Sequence, residues 1–178
     1  MESVNIGDGR TTKITGSLRA FSLFDVQKHV SLLAAQLATF FRAHPDRRPM
    51  ACVAVHSGGL IPAAMLWHAL CDMEGVITPS AWPFYSVFAK SYSGQSQKDL
   101  TLLIPDEVHA LAAKYPILIV DDIYDTGVTM KAIREQLDPI DGHQNTFAVL
   151  VSKDTDSHDW IFAGTHVHPN TWVEFPWE

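Results

Sequence analysis

The fold is decided by residues 117–130, which read ILIVDDIYDTGVTM. The run from Ile117 to Val120 is continuously apolar, as is typical of a parallel strand that is buried on both faces. Asp121 and Asp122 follow at the predicted end of this strand, and a helix is predicted from about Gly127 to Leu137. In open α/β sheets, ligands bind at the carboxyl edge of the strands. The segment therefore predicts a strand, a turn and a helix that together form a ligand site.

The turn after the two acids has the composition of an anion site. It consists of Asp125, Thr126, Gly127, Val128 and Thr129. Backbone N–H groups at the start of a helix, two hydroxyls and a glycine that permits close approach suit a phosphate. Asp121 and Asp122 suit hydroxyl groups and a hard divalent cation such as Mg²⁺. The pattern favours a sugar phosphate with a metal-bound leaving group; the alternative is a plain strand with solvated acids and an ordinary helix cap.

Working outward, the chain alternates predicted strands and helices. Helices are predicted at about Asp25–His44, Leu60–Cys71 and Asp106–Lys114, with Ser22 or Asp25 capping the first. Strands are predicted at Met50–Val55, Trp82–Ala89, Leu100–Ile104 and Thr146–Ser152. The tail, residues 160–178, is predicted to be irregular strand and loop. This alternation predicts an α/β fold with a central, mostly parallel sheet flanked by helices. We expect residues 1–20 to form an N-terminal arm and residues 21–178 a single domain.

The bulk composition excludes several classes of protein. With 178 residues, 47% of them hydrophobic and 19% charged, the chain is typical of one globular domain. The net charge of -7 argues against a broad nucleic-acid-binding face. No apolar run approaches the ~18 residues of a membrane span, and the first 19 residues lack the apolar core of a signal peptide. Cys52 and Cys71 read as reduced, buried thiols, so we expect a cytoplasmic protein without integral membrane association.

The 117–130 segment resembles the phosphoribosyl-pyrophosphate-binding signature of type I phosphoribosyltransferases. That signature is an apolar strand, two acids, two residues, Asp-Thr-Gly, any residue and Thr. From about Phe21 to Glu178 the chain is similar to the bacterial xanthine-guanine branch of the family. The resemblance implies the type I fold with a small hood from the C-terminal segment. It also implies transfer of 5-phosphoribosyl from phosphoribosyl pyrophosphate to a 6-oxopurine in purine salvage, with Mg²⁺ as cofactor, in a homodimer or homotetramer.

The resemblance implies a role for each residue of the signature. The turn of residues 125–129 would anchor the 5-phosphate of the donor. Asp121 and Asp122 would hold the ribose hydroxyls, with Asp122 beside the metal. Asp125 would accept or share the proton on purine N7 as the base becomes nucleophilic, which makes Asp125 the catalytic residue.

A second similarity lies in residues 53–60, VAVHSGGL, which resemble the pyrophosphate loop of the branch. Ser57 stands where the branch carries Arg and related enzymes carry Lys. The backbone N–H groups of Ser57, Gly58 and Gly59 can still donate to pyrophosphate, and a protonated His56 can replace part of the missing charge. The alternative for this segment is an ordinary glycine turn.

Two further segments complete the resemblance. Residues 90–100, KSYSGQSQKDL, resemble the mobile loop that closes over the reaction, with Lys98 in the position of its cation; the alternative is a surface loop with a solvated lysine. Residues 170–178, NTWVEFPWE, resemble the base-binding end of the branch. Trp172 would stack on the purine, the Val173 backbone would bond its 2-position group, and Lys153 would donate to its 6-oxo group. The alternative for Trp172 is a core aromatic.

Two other functions and one other site remain open at this stage. The chain could transfer phosphoribosyl to another base, or it could be a non-catalytic homologue that senses donor or nucleotide, which Ser57 favours. His166 and His168 alternate, as a zinc pair on a strand would. Because no clear third ligand accompanies them, we interpret them as two exposed histidines.

Overall fold

The computed structural model describes residues 3–6, 10–13, 17–73, 76, 83–91, 100–138, 145–154 and 160–178. Residues 3–6, 10–13, 90 and 91 are described by their backbone alone. The predicted mobile loop therefore falls mostly outside the described residues. Its first two positions, Lys90 and Ser91, end a strand, whereas residues 92–99, including Lys98, are not described.

Four α-helices lie close to their predicted positions. They are α1 (Leu23–Ala43), α2 (Leu60–Cys71), α3 (Asp106–Ala112) and α4 (Val128–Leu137), and a 3₁₀ turn follows α1 at Pro45–Arg47. Ser22 caps α1, as one of the two predicted alternatives has it. Helical spacing in the sequence puts Val26, Val30, Leu33, Leu37 and Phe40 on one apolar face of α1. The first four are buried, whereas Phe40 is partly exposed and its neighbour Phe41 is buried instead.

The central sheet has six strands in the order β6-β5-β4-β7-β8-β9. All neighbouring pairs are parallel except β5 and β6. Its strands are β4 (Cys52–His56), β5 (Phe84–Ser91), β6 (Leu100–Leu103), β7 (Leu118–Tyr124), β8 (Thr146–Ser152) and β9 (Ile161–His166). The expected α/β fold with a mostly parallel sheet is confirmed.

Helices cover both faces of this sheet, which fixes where ligands can enter. On one face, α1 and α2 pack over apolar residues of β4, β7 and β8, such as Ala54, Val120 and Leu150. On the other face, α3 and α4 enclose a second cluster that includes Ile119 and Phe147. Since both faces are closed, the open part of the sheet is its carboxyl edge, where β4, β7, β8 and β9 end.

Two short sheets lie outside the central one. β1 (Ser3–Ile6) pairs antiparallel with β2 (Arg10–Lys13), and β3 (Leu18–Ala20) pairs parallel with β10 (Trp172–Glu174). The sequence predicts an arm over residues 1–20, and β1, β2 and β3 lie within these residues. The resemblance predicts a small hood formed by the C-terminal segment. β10 belongs to that segment, and β3 is its pairing partner.

Two predicted element boundaries are wrong. β7 does not end at Asp121 and Asp122, as predicted, but continues to Tyr124, because its parallel pairing with β8 extends from Asp121 opposite Val149 to Tyr124 opposite Ser152. The first part of the tail is not irregular but forms β9, which completes the sheet by pairing with β8. The two acids consequently lie within the last four residues of the strand, and two further residues follow them before the turn.

Candidate active site

The central part of the site is the end of β7, where two adjacent carboxyl groups are held inside the protein. Asp122 is 7% exposed and Asp121 is half-buried. The backbone N–H of Asp122 donates to Asp121 Oδ1 at 2.9 Å, which fixes one carboxyl group against the strand. The sheet therefore presents two neighbouring acids at its carboxyl edge, as predicted.

Burial raises the pKa of both carboxyl groups, because it disfavours their charged forms. Burial, and then the neighbouring charge of Asp122, raise the pKa of Asp121 well above its usual range. Burial also raises the pKa of Asp122, partly offset by hydrogen bonding with Asp121 and by the indole N–H of Trp177. A cation bound between the two groups would remove much of this penalty, because opposite charge favours the ionised form.

The turn between β7 and α4 is shaped by one glycine. Gly127 has φ 75° and ψ 1°, a left-handed conformation that favours glycine. A Cβ atom there would also collide with the hydroxyl group of Tyr124, which is buried beneath the turn. No side chain caps the start of α4, and the side chains of Asp125, Thr126 and Val128 beside it are exposed.

The turn between β4 and α2 lies directly against the acids. Its peptide bond from His56 to Ser57 is cis. A Cβ on Gly58 would collide with the Asp122 carboxyl group, and one on Gly59 would lie 2.5 Å from the Val120 carbonyl oxygen. Both glycines therefore serve close approach, and the structure brings the two predicted donor-binding turns together at one edge.

Lys153 joins the site from the end of β8. Its backbone N–H donates to the Tyr124 carbonyl at 2.8 Å, and its Nζ lies 3.0 Å from Asp125 Oδ2. The Lys153 side chain is 11% exposed, whereas that of Asp125 is 56% exposed. A mostly covered ammonium group is thus held by a carboxylate that solvent can reach, and the two residues form one unit.

The C-terminal segment reaches the same region. Trp172 is half-buried on β10, and Val173 is 8% exposed beside it. Trp177 stacks on Phe175 with ring centroids 4.9 Å apart, and its indole N–H is buried without a well-formed hydrogen bond among the described residues. This N–H lies near the Asp122 carboxyl group and lowers its pKa. The sequence did not predict that Trp177 approaches Asp122; the one signal for it was the Pro-Trp-acid run of the tail.

The acids at the end of β7 suit a magnesium ion that is held only partly by the protein. No group of three or more His, Cys, Asp or Glu side chains that could hold a metal occurs within the residues that the structure describes. Mg²⁺, however, is usually held by one or two carboxylates together with waters and substrate phosphates. Asp122, with Asp121 beside it, provides such a partial donor set, so the residues present suit a metal that arrives with its ligand.

The strand–turn–helix geometry and the comparisons with known proteins indicate the same class of protein. The family model for the phosphoribosyl transferase domain matches residues 24–178. The chain belongs to this family, and its fold and signature are those of a type I phosphoribosyltransferase, an enzyme of the glycosyltransferase kind.

Individual relatives narrow the resemblance to one branch. The chain is 32% identical over 142 residues to the xanthine-guanine phosphoribosyltransferase of Gluconobacter oxydans, which covers 79% of this chain and 74% of the relative. It is 30% identical over 128 residues to that of Cereibacter sphaeroides, covering 72% and 68%. The crystal structure of a purine phosphoribosyltransferase from Pyrococcus horikoshii superposes with a TM-score of 0.66 at 25% identity, covering 90% of this chain and 94% of that one.

One finding concerns membranes. Among the helices of the described residues, none is both long enough and apolar enough to cross a bilayer.

Proposed function

We propose that this enzyme transfers a 5-phosphoribosyl group from phosphoribosyl pyrophosphate to a 6-oxopurine, giving a nucleoside monophosphate and pyrophosphate in purine salvage. The observation that carries the proposal is the contact between Asp125 and Lys153, 3.0 Å apart at the ends of neighbouring strands. The proposal assigns Asp125 as the acid that takes a proton and Lys153 as the donor that holds a 6-oxo group, beside the turn to which it assigns the phosphate. The xanthine-guanine enzymes among the relatives support the same choice of base.

The donor would be held at both of its ends. The amides and hydroxyls of residues 126–129 bind the 5-phosphate at the start of α4. Asp121 and Asp122 accept hydrogen bonds from the ribose hydroxyls, and the amides of Ser57, Gly58 and Gly59 donate to the pyrophosphate. Lys98, in the segment that resembles the closing loop, adds a cation when that loop covers the site. Fixing both ends orients C1 of the sugar towards the base.

Asp122 would hold the metal, with Asp121 as its neighbour. When bound with the donor, Mg²⁺ offsets negative charge on the departing pyrophosphate. The two carboxyl groups are adjacent in the chain, with Asp122 buried and Asp121 half-buried. Their raised pKa values fit this role, since a bound cation restores their ionised form.

The base would lie between Lys153 and Trp172. Lys153 donates and cannot accept, so it favours the 6-oxo group of xanthine, guanine or hypoxanthine over the 6-amino group of adenine. Trp172 stacks on the ring face, and the Val173 backbone bonds the 2-position group. Asp125 accepts the N7 proton as N9 attacks C1, and Lys153 leaves its pairing with Asp125 for the base oxygen.

The domain bounds, the location in the cell and the oligomeric state are proposed from the sequence and from the family resemblance. We take residues 21–178 as the catalytic domain, with residues 1–20 as an arm. We expect a cytoplasmic homodimer or homotetramer, whose mass in solution light scattering would measure.

A pyrophosphate-release assay with Mg²⁺ over a panel of bases tests the proposal. We expect release with guanine, xanthine or hypoxanthine and little with adenine, uracil or orotate. Lys153→Met should weaken the use of 6-oxopurines, with Lys114→Met, an exposed lysine beyond α3, as its control. Release with a pyrimidine alone would assign another base. No release with any base, together with tight donor binding, would favour the sensing homologue that Ser57 suggests.

A further inference from the structure

We propose that a cavity between β3 and the end of β9 is a second binding site of this protein and takes a sugar phosphate. The cavity has a volume of about 410 Å³ and is lined by residues 17–19 and 165–168, together with Phe21 and Thr171. No described residue to which we assign the donor, the metal or the base lies in this lining. The cavity is therefore a separate site, outside the proposed function.

Much of this cavity wall lies on the face of the β3–β10 sheet that is opposite to Trp172. In the register of the two strands, Trp172 is paired with Leu18. Because side chains alternate along a strand, Ser17, Arg19 and Thr171 belong to the other face. The hydroxyl groups of Ser17 and Thr171 are hydrogen-bonded at 3.1 Å, as expected for residues that share a face. The cavity is thus distinct from the place beside Trp172 that we propose for the base.

Arg19 supplies a fixed positive charge to the cavity, and its hydrogen-bond donors are unused. Its guanidinium carbon lies 5.3 Å from the centroid of the Phe21 ring, and it makes no hydrogen bond or ion pair with another described residue. The carboxylate of Asp25, which is near it, accepts hydrogen bonds from Ser22 instead. No acidic residue occurs in the described lining. Since a guanidinium group can bind a phosphate through two parallel hydrogen bonds, the cavity favours an anionic group of this kind.

The two histidines that line the cavity offer one donor and one acceptor without carrying a charge. The Asn170 backbone N–H donates to His168 Nδ1 at 3.2 Å, so the proton of the neutral ring lies on Nε2. His166 Nδ1 lies 3.0 Å from the Asp154 carbonyl oxygen, which can only accept, so Nε2 of that ring is left as an acceptor. Neither Nε2 atom has a partner among the described residues. A hydroxyl group of a ligand can therefore donate to His166 or accept from His168.

The volume of the cavity and its hydroxyl groups indicate the kind of ligand. Pockets that enclose organic ligands measure about 300–1,000 Å³, whereas one water molecule occupies about 30 Å³. The cavity therefore suits an organic molecule rather than an inorganic ion. Ser17, Thr165 and Thr171 add hydroxyl groups to the lining, and each of these can donate and accept. A phosphate group for Arg19 and several hydroxyl groups for the other polar residues are the features of a sugar phosphate.

Calorimetric titration of the full chain with ribose 5-phosphate tests this site. We expect two molecules per chain, one at the start of α4 and one in the cavity. Arg19→Met keeps a long side chain but removes the charge, so it should weaken the molecule in the cavity about tenfold or more. Thr165→Val, which removes a lining hydroxyl group at similar volume, should weaken the same molecule. The control is Arg42→Met, at an exposed arginine in the last turn of α1, which should retain both molecules.

Other ligands and the two variants separate the possible outcomes. A second molecule of guanosine monophosphate that is lost in Arg19→Met would extend the site to nucleotides, whereas a single molecule would restrict it to free sugar phosphates. Inorganic phosphate that binds the cavity as tightly as ribose 5-phosphate would overturn the assignment to a sugar phosphate. A single ribose 5-phosphate per chain that both variants leave unchanged would overturn the site itself. A single molecule that both variants weaken would support the cavity and contradict the proposed function instead.

Discussion

The helices α1 and α4 begin in opposite ways. At α1, Ser22 and Asp25 form a reciprocal cap: the Asp25 N–H donates to Ser22 Oγ at 3.2 Å and the Ser22 N–H donates to Asp25 Oδ2 at 2.9 Å. At α4, the capping residue is Gly127, which has no side chain to accept from the first amides. A cap satisfies the amides that a helix start leaves unpaired. An open start leaves them for a ligand.

The contrast between capped and uncapped helix starts follows the position of each helix in the fold. α2 also begins at a glycine, Gly59, and so both helices that start at the carboxyl edge between β4 and β7 are open. The aspartates near the two helix starts, Asp25 at α1 and Asp125 at α4, differ in the same way. Asp25 folds back on its own helix, whereas Asp125 turns away from α4 to Lys153. We therefore expect substitutions at the α1 cap to change stability without changing activity, whereas substitutions at the edge can change both.

The largest effect is expected from Asp125→Asn. An amide cannot take the N7 proton, so kcat should fall by roughly 10²–10⁴-fold while the affinity for the donor changes little. Steady-state kinetics and donor binding measure the two separately. Asp25→Asn is the matched control and should leave kcat near that of the wild type. A kcat near wild type in Asp125→Asn would remove this residue from its proposed role.

The next effect compares the two glycines of the β4–α2 turn. In Gly59→Ala, the new Cβ would lie 2.5 Å from the Val120 carbonyl oxygen and 2.7 Å from that of Val55, so backbone must move. We expect a loss of about 3 kcal/mol in the free energy of unfolding, or a Tm lower by about 8 °C. In Gly58→Ala the clash is with the Asp122 side chain, which can turn away. That variant should lose donor binding with a smaller change in Tm.

The acid pair gives a stability effect of opposite sign. Because the pKa of Asp121 is raised, the folded protein binds more protons than the unfolded chain in the window from 3.8 up to the raised value. Stability falls as the pH rises through this window and stays lower above it. Asp121→Asn should therefore raise the Tm by a few degrees at pH 7, and the gain should shrink as the pH falls. A lower Tm at pH 7 would contradict the burial argument.

The smallest effect is expected at the α1 cap. Ser22→Ala removes one half of the reciprocal cap and should lower the Tm by ~2 °C without changing kcat. Hydrogen bonds from Ser22 hold the pKa of Asp25 below its usual value. The stability that Asp25 contributes is thus present above pH 3.8 and is lost as the pH falls through its lower folded value. Thermal unfolding at several pH values should show the wild type and Ser22→Ala converging in acid.

The parts of the fold that could be predicted are those whose pattern is local. The 3.6-residue spacing of Val26, Val30 and Leu33 predicts the buried face of α1. The apolar run that starts at Ile117 predicts β7, and the change from strand to glycine turn predicts the start of α4. These signals come from neighbouring residues, so they need no knowledge of the tertiary structure.

The parts that could not be predicted depend on partners far along the chain. Asp121 and Asp122 read as the end of a strand, yet pairing with β8 carries β7 on to Tyr124. The ion pair of Asp125 and Lys153 joins residues 28 positions apart. The approach of Trp177 to Asp122 likewise depends on how the tail folds back, which composition does not encode.

The pairing of β3 with β10 has a consequence for biosynthesis. The side chains of Ser17 and Thr171 are hydrogen-bonded at 3.1 Å although they lie 154 positions apart. All six strands of the central sheet precede β10 in the chain and are therefore synthesised before it. A nascent chain that stops at Thr171 would thus already contain residues 125–129, which we propose bind the phosphate, and yet lack Trp172, which we propose stacks on the base.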